Sequence, residues 1–383
     1  MKVYTLQFWL LCLSSFLFFT SFNMVLPELP DFMRSIGGEK YIGLHIAFFT
    51  MTAGLSRPFS GKMTDRWGRI PVMIIGSLVT AVIALFYPFV LNIYGFLALR
   101  FLNGFSTGFK PTGTAAYVAD VVPAERRGEA MGMQSFFSMI GMGTGYFISS
   151  AIVSYWSINT LFFMSSGVAL LSILILAGMK ETLEPKGTFS TDFFKISWAD
   201  VYEPSALRPS VVMLLNTFCF GVIVSLFPDF SVSLGIENKG LFFVYFVIAS
   251  MASRIIGGRL SDRYGRVPII QFSLLIVAVG CVMTGQSTIP SFYYLSGVVY
   301  GFGYGMVSPA LFAWVVDMAN DKSRGRALST VFLALEIGIG SGALVSSLLY
   351  QGHEERLDWI FTGSAIFTIV GFIYLLISRP KTE

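Results

Sequence analysis

Charged residues are scarce in this chain of 383 residues: Asp, Glu, Lys and Arg make up only 13%, whereas 54% of the residues are hydrophobic. Soluble domains carry about 25% charged residues, so the composition excludes a water-soluble globular protein. The two histidines, His45 and His353, are too few for a clustered catalytic site, and no ATP-binding motif is present. We therefore expect a membrane protein that is not an enzyme and has no cofactor.

Cysteine is equally sparse, and its pattern excludes two further classes of protein. Cys12, Cys219 and Cys281 are odd in number, lie in predicted helices and lack metal-ligand spacing. Neither a disulfide framework nor a metal site is expected. The net charge of +4 is explained by membrane orientation, so no nucleic-acid partner is predicted.

Apolar segments long enough to cross a bilayer are abundant. A spanning helix needs about 20 apolar residues, and the continuous runs exclude β-barrel strands, which alternate and are about half as long. Twelve helices are predicted, six in each half of the chain. Their approximate bounds are 6–27, 41–61, 70–90, 93–118, 129–154, 158–179, 209–228, 240–260, 267–287, 291–316, 325–350 and 357–378.

Lys and Arg collect on one side of this predicted topology. If both termini are cytoplasmic, the outer loops hold only Arg34, Lys40, Lys239 and Arg356, and nearly all other cations are on the inner side. The positive-inside rule therefore predicts a multi-pass protein with cytoplasmic termini. Short loops and the absence of an Asn-X-Ser/Thr glycosylation sequence favour a bacterial cytoplasmic (inner) membrane.

An internal repeat divides the chain. Residues 61–69 (GKMTDRWGR) recur 197 positions later as residues 258–266 (GRLSDRYGR), and the glycine-rich runs 141–145 and 338–342, predicted to pack helices closely, share this offset. Six helices separate the copies, so both enter the membrane in the same direction. We predict an all-α membrane protein of two parallel, pseudo-symmetric six-helix bundles, residues 1–179 and 209–383, joined by a cytoplasmic linker, residues 180–208. The linker is expected to contain a short surface helix around residues 191–201.

These features resemble the major facilitator superfamily over essentially the whole chain. Its signature between helices 2 and 3 matches residues 61–69, with a second copy at 258–266, and Arg100 with Gly104 matches its fourth-helix pattern. The Gly-Pro pair that many exchangers carry in the fifth helix is missing from residues 141–145. The resemblance implies a twelve-helix transporter that works by alternating access.

The resemblance also implies a latch on the inner face. Asp65 would hold the start of helix 11 near Arg324, and a loop arginine would pair with Asp120. By pseudo-symmetry, Asp262 would face Arg127, and Asp317 would pair with Arg266 or Arg263. The alternative is that these charges only anchor the topology. The predicted latch residues are Gly61, Asp65, Arg66, Gly68, Arg69, Asp120, Arg127, Gly258, Asp262, Arg263, Gly265, Arg266, Asp317 and Arg324.

A polar face on helix 4 is the main candidate for solute binding. Arg100, Asn103, Thr107, Lys110 and Thr114 are spaced three or four residues apart and share one helical face. Intramembrane charges cost ~2.5–3.5 kcal/mol each and usually mark a site, so this face is predicted to line a water-filled cavity. For Lys110, solute contact is favoured over a structural ion pair.

Three residues of the second half and one of helix 1 complete the predicted site. Tyr300 and Tyr304 occupy the positions that match Asn103 and Thr107; they are expected to stack on a solute, with ordinary packing as the alternative. Asn23 is a weaker candidate. Glu336, in the middle of helix 11, is the candidate proton carrier, or else a permanent partner of Lys110 or Arg100.

The sequence therefore predicts a secondary active transporter for a small organic solute. Proton-coupled efflux of an amphipathic or anionic compound by a monomer is favoured. Proton-coupled uptake of a sugar or organic acid is the alternative, because one fold serves both directions. A non-transporting receptor or a membrane enzyme is a third, disfavoured hypothesis, since the chain has neither a large extramembrane domain nor clustered catalytic groups.

Overall fold

The computed structural model describes residues 4–123, 126–183, 201–319 and 324–378. These residues contain no β-strand and form twelve long helices. The helices are α1 Leu6–Val25, α2 Ile42–Arg66, α3 Arg69–Phe86, α4 Ile93–Val121, α5 Arg127–Tyr155, α6 Ile158–Ala177, α7 Leu207–Ser233, α8 Leu241–Tyr264, α9 Arg266–Gly285, α10 Pro290–Met318, α11 Arg324–Tyr350 and α12 Leu357–Ile377.

The predicted all-α architecture is confirmed, and each helix begins and ends within five residues of its predicted bounds. Ten of the twelve helices are apolar and long enough to span a membrane; α2 and α4 do not meet the same criterion. Arg57 and Lys62 on α2, and Arg100 and Lys110 on α4, lower the mean hydropathy of these two helices. Polar character is thus concentrated on two helices of the first half.

The chain divides into two compact units. Unit 1 comprises residues 1–38 and 51–197, and unit 2 comprises residues 39–50 and 198–383. In unit 1, α1 packs against α5 and α6, and α3 packs against α4 and α6. In unit 2, α7 packs against α11 and α12, and α9 packs against α10 and α12. The repeated sequence therefore folds into the same helix pairings twice.

Glycines allow the closest of these helix pairs to form. A Cβ atom on Gly145 of α5 would lie 2.6 Å from the carbonyl oxygen of Thr20 and 2.8 Å from the backbone nitrogen of Met24, both on the first helix. In unit 2, Gly342 of α11 faces the α7 backbone at Phe218 in the same manner. Small residues at such contacts let helix backbones approach each other, as the glycine runs predicted.

The predicted linker is only partly described. Residues 184–200, which include most of a short surface helix predicted around 191–201, lie outside the described residues. A single 3₁₀ turn, Pro204–Ala206, leads into α7.

Candidate functional site

The two repeated loops make sharp turns between consecutive helices. Gly68, before α3, has φ +148°, and Gly265, before α9, has φ +90°. Side chains with a Cβ rarely adopt these values. Pro71 and Pro268 lie in the first turns of α3 and α9, where proline does not interrupt helical hydrogen bonding.

The last arginine of each repeated loop forms an ion pair with an aspartate near the end of a neighbouring helix, α4 in unit 1 and α10 in unit 2. In unit 1, Arg69 Nε lies 3.0 Å from Asp120 Oδ2, and its guanidinium is 3.7 Å from Asp65 Oδ1. In unit 2, Arg266 Nε lies 2.9 Å from Asp317 Oδ2, and its guanidinium also pairs with Asp262. The structure thus contains the loop pairs expected for Asp120 and Asp317, each within its own unit.

Glu181 is a member of the first loop cluster that sequence reasoning missed. Its carboxylate accepts hydrogen bonds from the backbone N–H groups of Arg69, at 3.1 Å, and Ile70, at 2.9 Å. It therefore satisfies donors at the positive end of α3, which otherwise lacks a side-chain cap. The corresponding position of the second half is Ser378, so this cap is not duplicated.

The other predicted latch residues are mostly exposed. The side chains of Asp65 and Asp262 are 76% and 70% exposed, and Arg127 Nε donates to the carbonyl oxygen of Ala119 at 2.9 Å. Arg66 is exposed, Arg263 lies over the Tyr264 ring, and Gly61 and Gly258 have open space beside them. The side chain of Arg324 is outside the described residues. Latching between the halves stays a prediction.

The local role of the loop arginine can be tested by labelling. We expect Arg69→Gln to increase maleimide labelling of a reporter Leu183→Cys about fivefold, because losing an ion pair of ~1 kcal/mol loosens the segment that Asp120 and Glu181 hold. The three native cysteines are buried. Lys180→Gln, which removes an exposed charge beside the same segment, is the control. Equal labelling of all three proteins would exclude this role.

Lys110, the central residue of the predicted polar face, is buried inside unit 1. It is 1% exposed. Its Nζ donates to Ser14 Oγ at 2.6 Å and to Ser172 Oγ at 3.4 Å, and the two serine hydroxyls lie 2.9 Å apart. The amine therefore lies between α1, α4 and α6, whereas the sequence predicted a water-filled cavity. It forms no ion pair with the described residues.

The rest of the polar face is also largely packed within unit 1. Arg100 is 1% exposed, and its guanidinium donates to the Tyr87 hydroxyl at 3.4 Å. Asn103 is buried, whereas Thr107 is half-buried and bonds the carbonyl oxygen of Gly104. The Asn23 amide donates to the carbonyl oxygen of Phe19 within its own helix. The helical period correctly placed these α4 residues on one face, but it could not show which helices pack against that face.

Tyr300 and Tyr304 belong to an aromatic cluster in unit 2. The Tyr304 ring stacks on Phe220 with ring centroids 4.8 Å apart, and its centroid lies 5.6 Å from that of Phe246 and 6.1 Å from that of Tyr300. Phe220 is on α7 and Phe246 on α8. Neither phenylalanine was a candidate, because an apolar ring in an apolar helix carries no distinguishing sequence signal.

Two charged residues adjoin this aromatic cluster. Glu336 is 6% exposed, and both Glu336 and Arg254 of α8 interact electrostatically with Tyr304. The sequence had placed Arg254 among the cations of the inner surface. Electrostatic interaction with Tyr304 relates Arg254 and Glu336 to the aromatic cluster, and an aromatic surface with charged groups nearby suits an amphipathic solute.

A comparison with known families identifies the architecture. The sequence profile of the Major Facilitator Superfamily matches residues 11–253 and 209–383. The chain belongs to the major facilitator superfamily. The resemblance carried by the repeated loops is thereby confirmed, and the protein is a multi-pass membrane transporter.

The similar proteins of this superfamily include bacterial exporters. The multi-drug resistance efflux pump PmrA of Streptococcus pneumoniae is 29% identical over 94% of this chain and 95% of its own length. The staphylopine export protein of Staphylococcus aureus is 23% identical over 88% and 87%. The multidrug resistance protein MdtG of Klebsiella pneumoniae is 24% identical over 98% and 93%.

Solved structures of the superfamily share the fold. A D-xylose–proton symporter superposes with a TM-score of 0.78 at 13% identity, covering 98% of each chain. The human organic anion transporter MFSD10 superposes with a TM-score of 0.74 at 18% identity, covering 96% of this chain and 98% of its own. The predicted twelve-helix superfamily fold is therefore confirmed.

Proposed function

We propose that this transporter exports an amphipathic or anionic organic compound from a bacterial cell in exchange for protons. The observation that carries this proposal is the aromatic cluster of unit 2, in which Tyr304 interacts electrostatically with both Arg254 and Glu336. Relatives named as an efflux pump in Streptococcus pneumoniae and as an export protein in Staphylococcus aureus support the direction. The protein would act as a monomer in the cytoplasmic membrane, with both termini in the cytoplasm and no enzymatic reaction.

The chemistry of exchange would depend on Glu336. It is a carboxylic acid in the middle of α11, and intramembrane acids commonly serve as proton relays. A change in its charge alters the electrostatic field at Tyr304 and hence the affinity of the same site for a solute. In an alternating-access cycle, the acid would take up a proton on one side of the membrane and release it on the other.

Proton-coupled uptake is the second candidate. The missing Gly-Pro pair in residues 141–145 favours it over a drug exchanger. The glycines in this run instead make the close contact of α5 with α1, and this packing serves either direction of transport.

Proteoliposomes with an imposed pH gradient test the proposal. We expect solute movement that follows the pH gradient, and we expect Glu336→Gln to reduce this coupled flux by about tenfold or more, because an amide cannot carry the proton. Exchange of labelled for unlabelled solute without a gradient should survive. Glu355→Gln, a change in an exposed acid, is the matched control. Coupled flux that is unchanged in Glu336→Gln would refute the role of this acid.

A further inference from the structure

Several polar groups in unit 2 are buried without a hydrogen-bond partner. Among the described residues, no partner is found for Arg254 Nε, the Tyr300 hydroxyl, or either amide atom of Asn216. Leaving a buried polar group unsatisfied costs about 1–3 kcal/mol, and such groups in native proteins require an explanation. Asn216, Arg254 and Tyr300 lie on three helices of unit 2, α7, α8 and α10. Of these three residues, only Arg254 retains exposed surface through which a ligand can supply the missing bond.

These groups lie around the aromatic cluster described above. Asn216 precedes Phe220 by four residues and so shares its face of α7. Phe220 stacks on Tyr304, and the Tyr300 ring is nearly parallel to that of Tyr304, with an interplanar angle of 19°. Arg254 interacts electrostatically with the Tyr304 hydroxyl. The aromatic cluster therefore has a guanidinium that interacts with one of its rings, and the enclosed amide of Asn216 on the face of α7 that carries Phe220.

The depth and exposure of this group suit a solute. Phe220 is the central residue of α7 (Leu207–Ser233), and Tyr304 is the central residue of α10 (Pro290–Met318), so both lie near the middle of a membrane span. Phe220, Tyr304 and Arg254 are each only partly buried. The stacked rings therefore keep an accessible surface beside the guanidinium, in the region where secondary transporters bind their solutes.

The charge of Arg254 indicates what the solute carries. The guanidinium forms no ion pair with any described residue, and Tyr304 is its electrostatic partner. Glu336 also interacts with Tyr304 but does not pair with Arg254. A cation within a membrane span is costly unless an anion or a water-filled space compensates it. Arginine binds carboxylates and related anions through two parallel hydrogen bonds.

We propose that Arg254 is the anion-binding residue of this site and that the solute is a planar aromatic anion. Its ring packs on Tyr304 and Phe220, and its carboxylate or sulfonate binds Arg254. The proposal rests on the proposed transport function and names its substrate class. The proposed anion-binding residue therefore lies in unit 2, whereas Arg100 and Lys110 of the predicted solute-binding face pack inside unit 1.

Direct binding to the purified protein in nanodiscs tests the proposal. Radiolabelled naphthoate, naphthamide and cyclohexane carboxylate serve as probes, because the second lacks the charge and the third lacks the aromatic ring. We expect Arg254→Gln to weaken naphthoate binding by about tenfold or more and naphthamide binding by less than about twofold. Arg254→Lys should give an intermediate loss, because lysine keeps the charge without the bidentate geometry.

The aromatic surface is tested with Phe220→Leu. We expect it to weaken naphthoate and naphthamide by the same factor, about threefold to tenfold, and to leave cyclohexane carboxylate unchanged. Arg259→Gln, which removes an exposed arginine from the same helix, is the control and should bind like the unaltered protein. Size-exclusion profiles identify any variant that fails to fold, and Arg254→Lys then carries the comparison.

Two results would overturn the proposal: no naphthoate binding by the unaltered protein, or equal losses of naphthoate and naphthamide in the Arg254 variants. Proteoliposome transport separates these outcomes from failure of the proposed function. If the protein moves other solutes but does not discriminate between naphthoate and naphthamide, the inference fails and the function stands. If it binds naphthoate through Arg254 but moves no solute, the site stands and the function fails.

Discussion

Replacing Gly145 with leucine is expected to eliminate folded protein from the membrane. Any Cβ at this position would lie 2.6 Å and 2.8 Å from backbone atoms of Thr20 and Met24. Backbone atoms of a packed helix cannot move out of such a steric clash, whereas the end of a flexible side chain can. The larger side chain would force α5 away from α1, and one of the main helix contacts of unit 1 would be lost. We expect the free energy of unfolding to fall by more than ~3 kcal/mol. The yield and the apparent melting temperature of monodisperse protein in detergent measure this effect.

Gly132 provides the matched control, because it lies on the same helix with nothing within 4 Å of a Cβ atom. Gly132→Leu should leave the yield unchanged and should raise stability slightly, since leucine is the better helix former by up to about 1 kcal/mol. A Gly145→Leu protein as stable as Gly132→Leu would show that α1 and α5 do not pack as described.

Shortening Lys110 to alanine should have the second largest effect on stability. The side chain fills the space between α1, α4 and α6, where its Nζ bonds Ser14 and Ser172. Removing it leaves a cavity, and we expect the free energy of unfolding to fall by about 2–5 kcal/mol. Lys110→Met keeps most of the volume, and the two serines still bond each other, so its loss should stay below about 1.5 kcal/mol. Thermal unfolding in detergent measures both.

The Lys110→Met variant also tests the predicted role of this residue in solute binding. If Lys110 acts through packing, as its serine partners indicate, the methionine variant should transport at near the unaltered rate. A stable Lys110→Met protein that has lost transport would restore the prediction that the amine contacts the solute. Unchanged stability in Lys110→Ala would contradict the close packing around this side chain.

The architecture could be predicted from the sequence because its determinants are local or repeated. A run of about 20 apolar residues specifies a spanning helix wherever it occurs, and the shared offset of residues 61–69 and 258–266 identifies the duplication without any knowledge of contacts. The family resemblance implied that a loop arginine pairs with Asp120, and that Arg266 or Arg263 pairs with Asp317; the structure identifies the arginines as Arg69 and Arg266.

The candidate site was predicted only in part. Tyr304 and Glu336 stood out as polar groups in apolar helices, and in the structure the two interact electrostatically. Phe220 and Asn216 carried too weak a signal by themselves, and Arg254 was counted among the cations of the inner surface. Glu181 was missed because the helix that it caps begins 112 residues earlier in the chain, and no local sequence pattern connects the two.

By itself, the sequence determined the membrane class, the twelve helices, the duplication and the superfamily, because bilayer thickness and hydrophobicity act on each segment separately. Only the tertiary structure decided that Lys110 is enclosed by serines of α1 and α6 and that Arg254 adjoins the stack of Tyr304 and Phe220. Those neighbours come from different helices, and helical periodicity specifies the face of a residue but not the helix that packs against it.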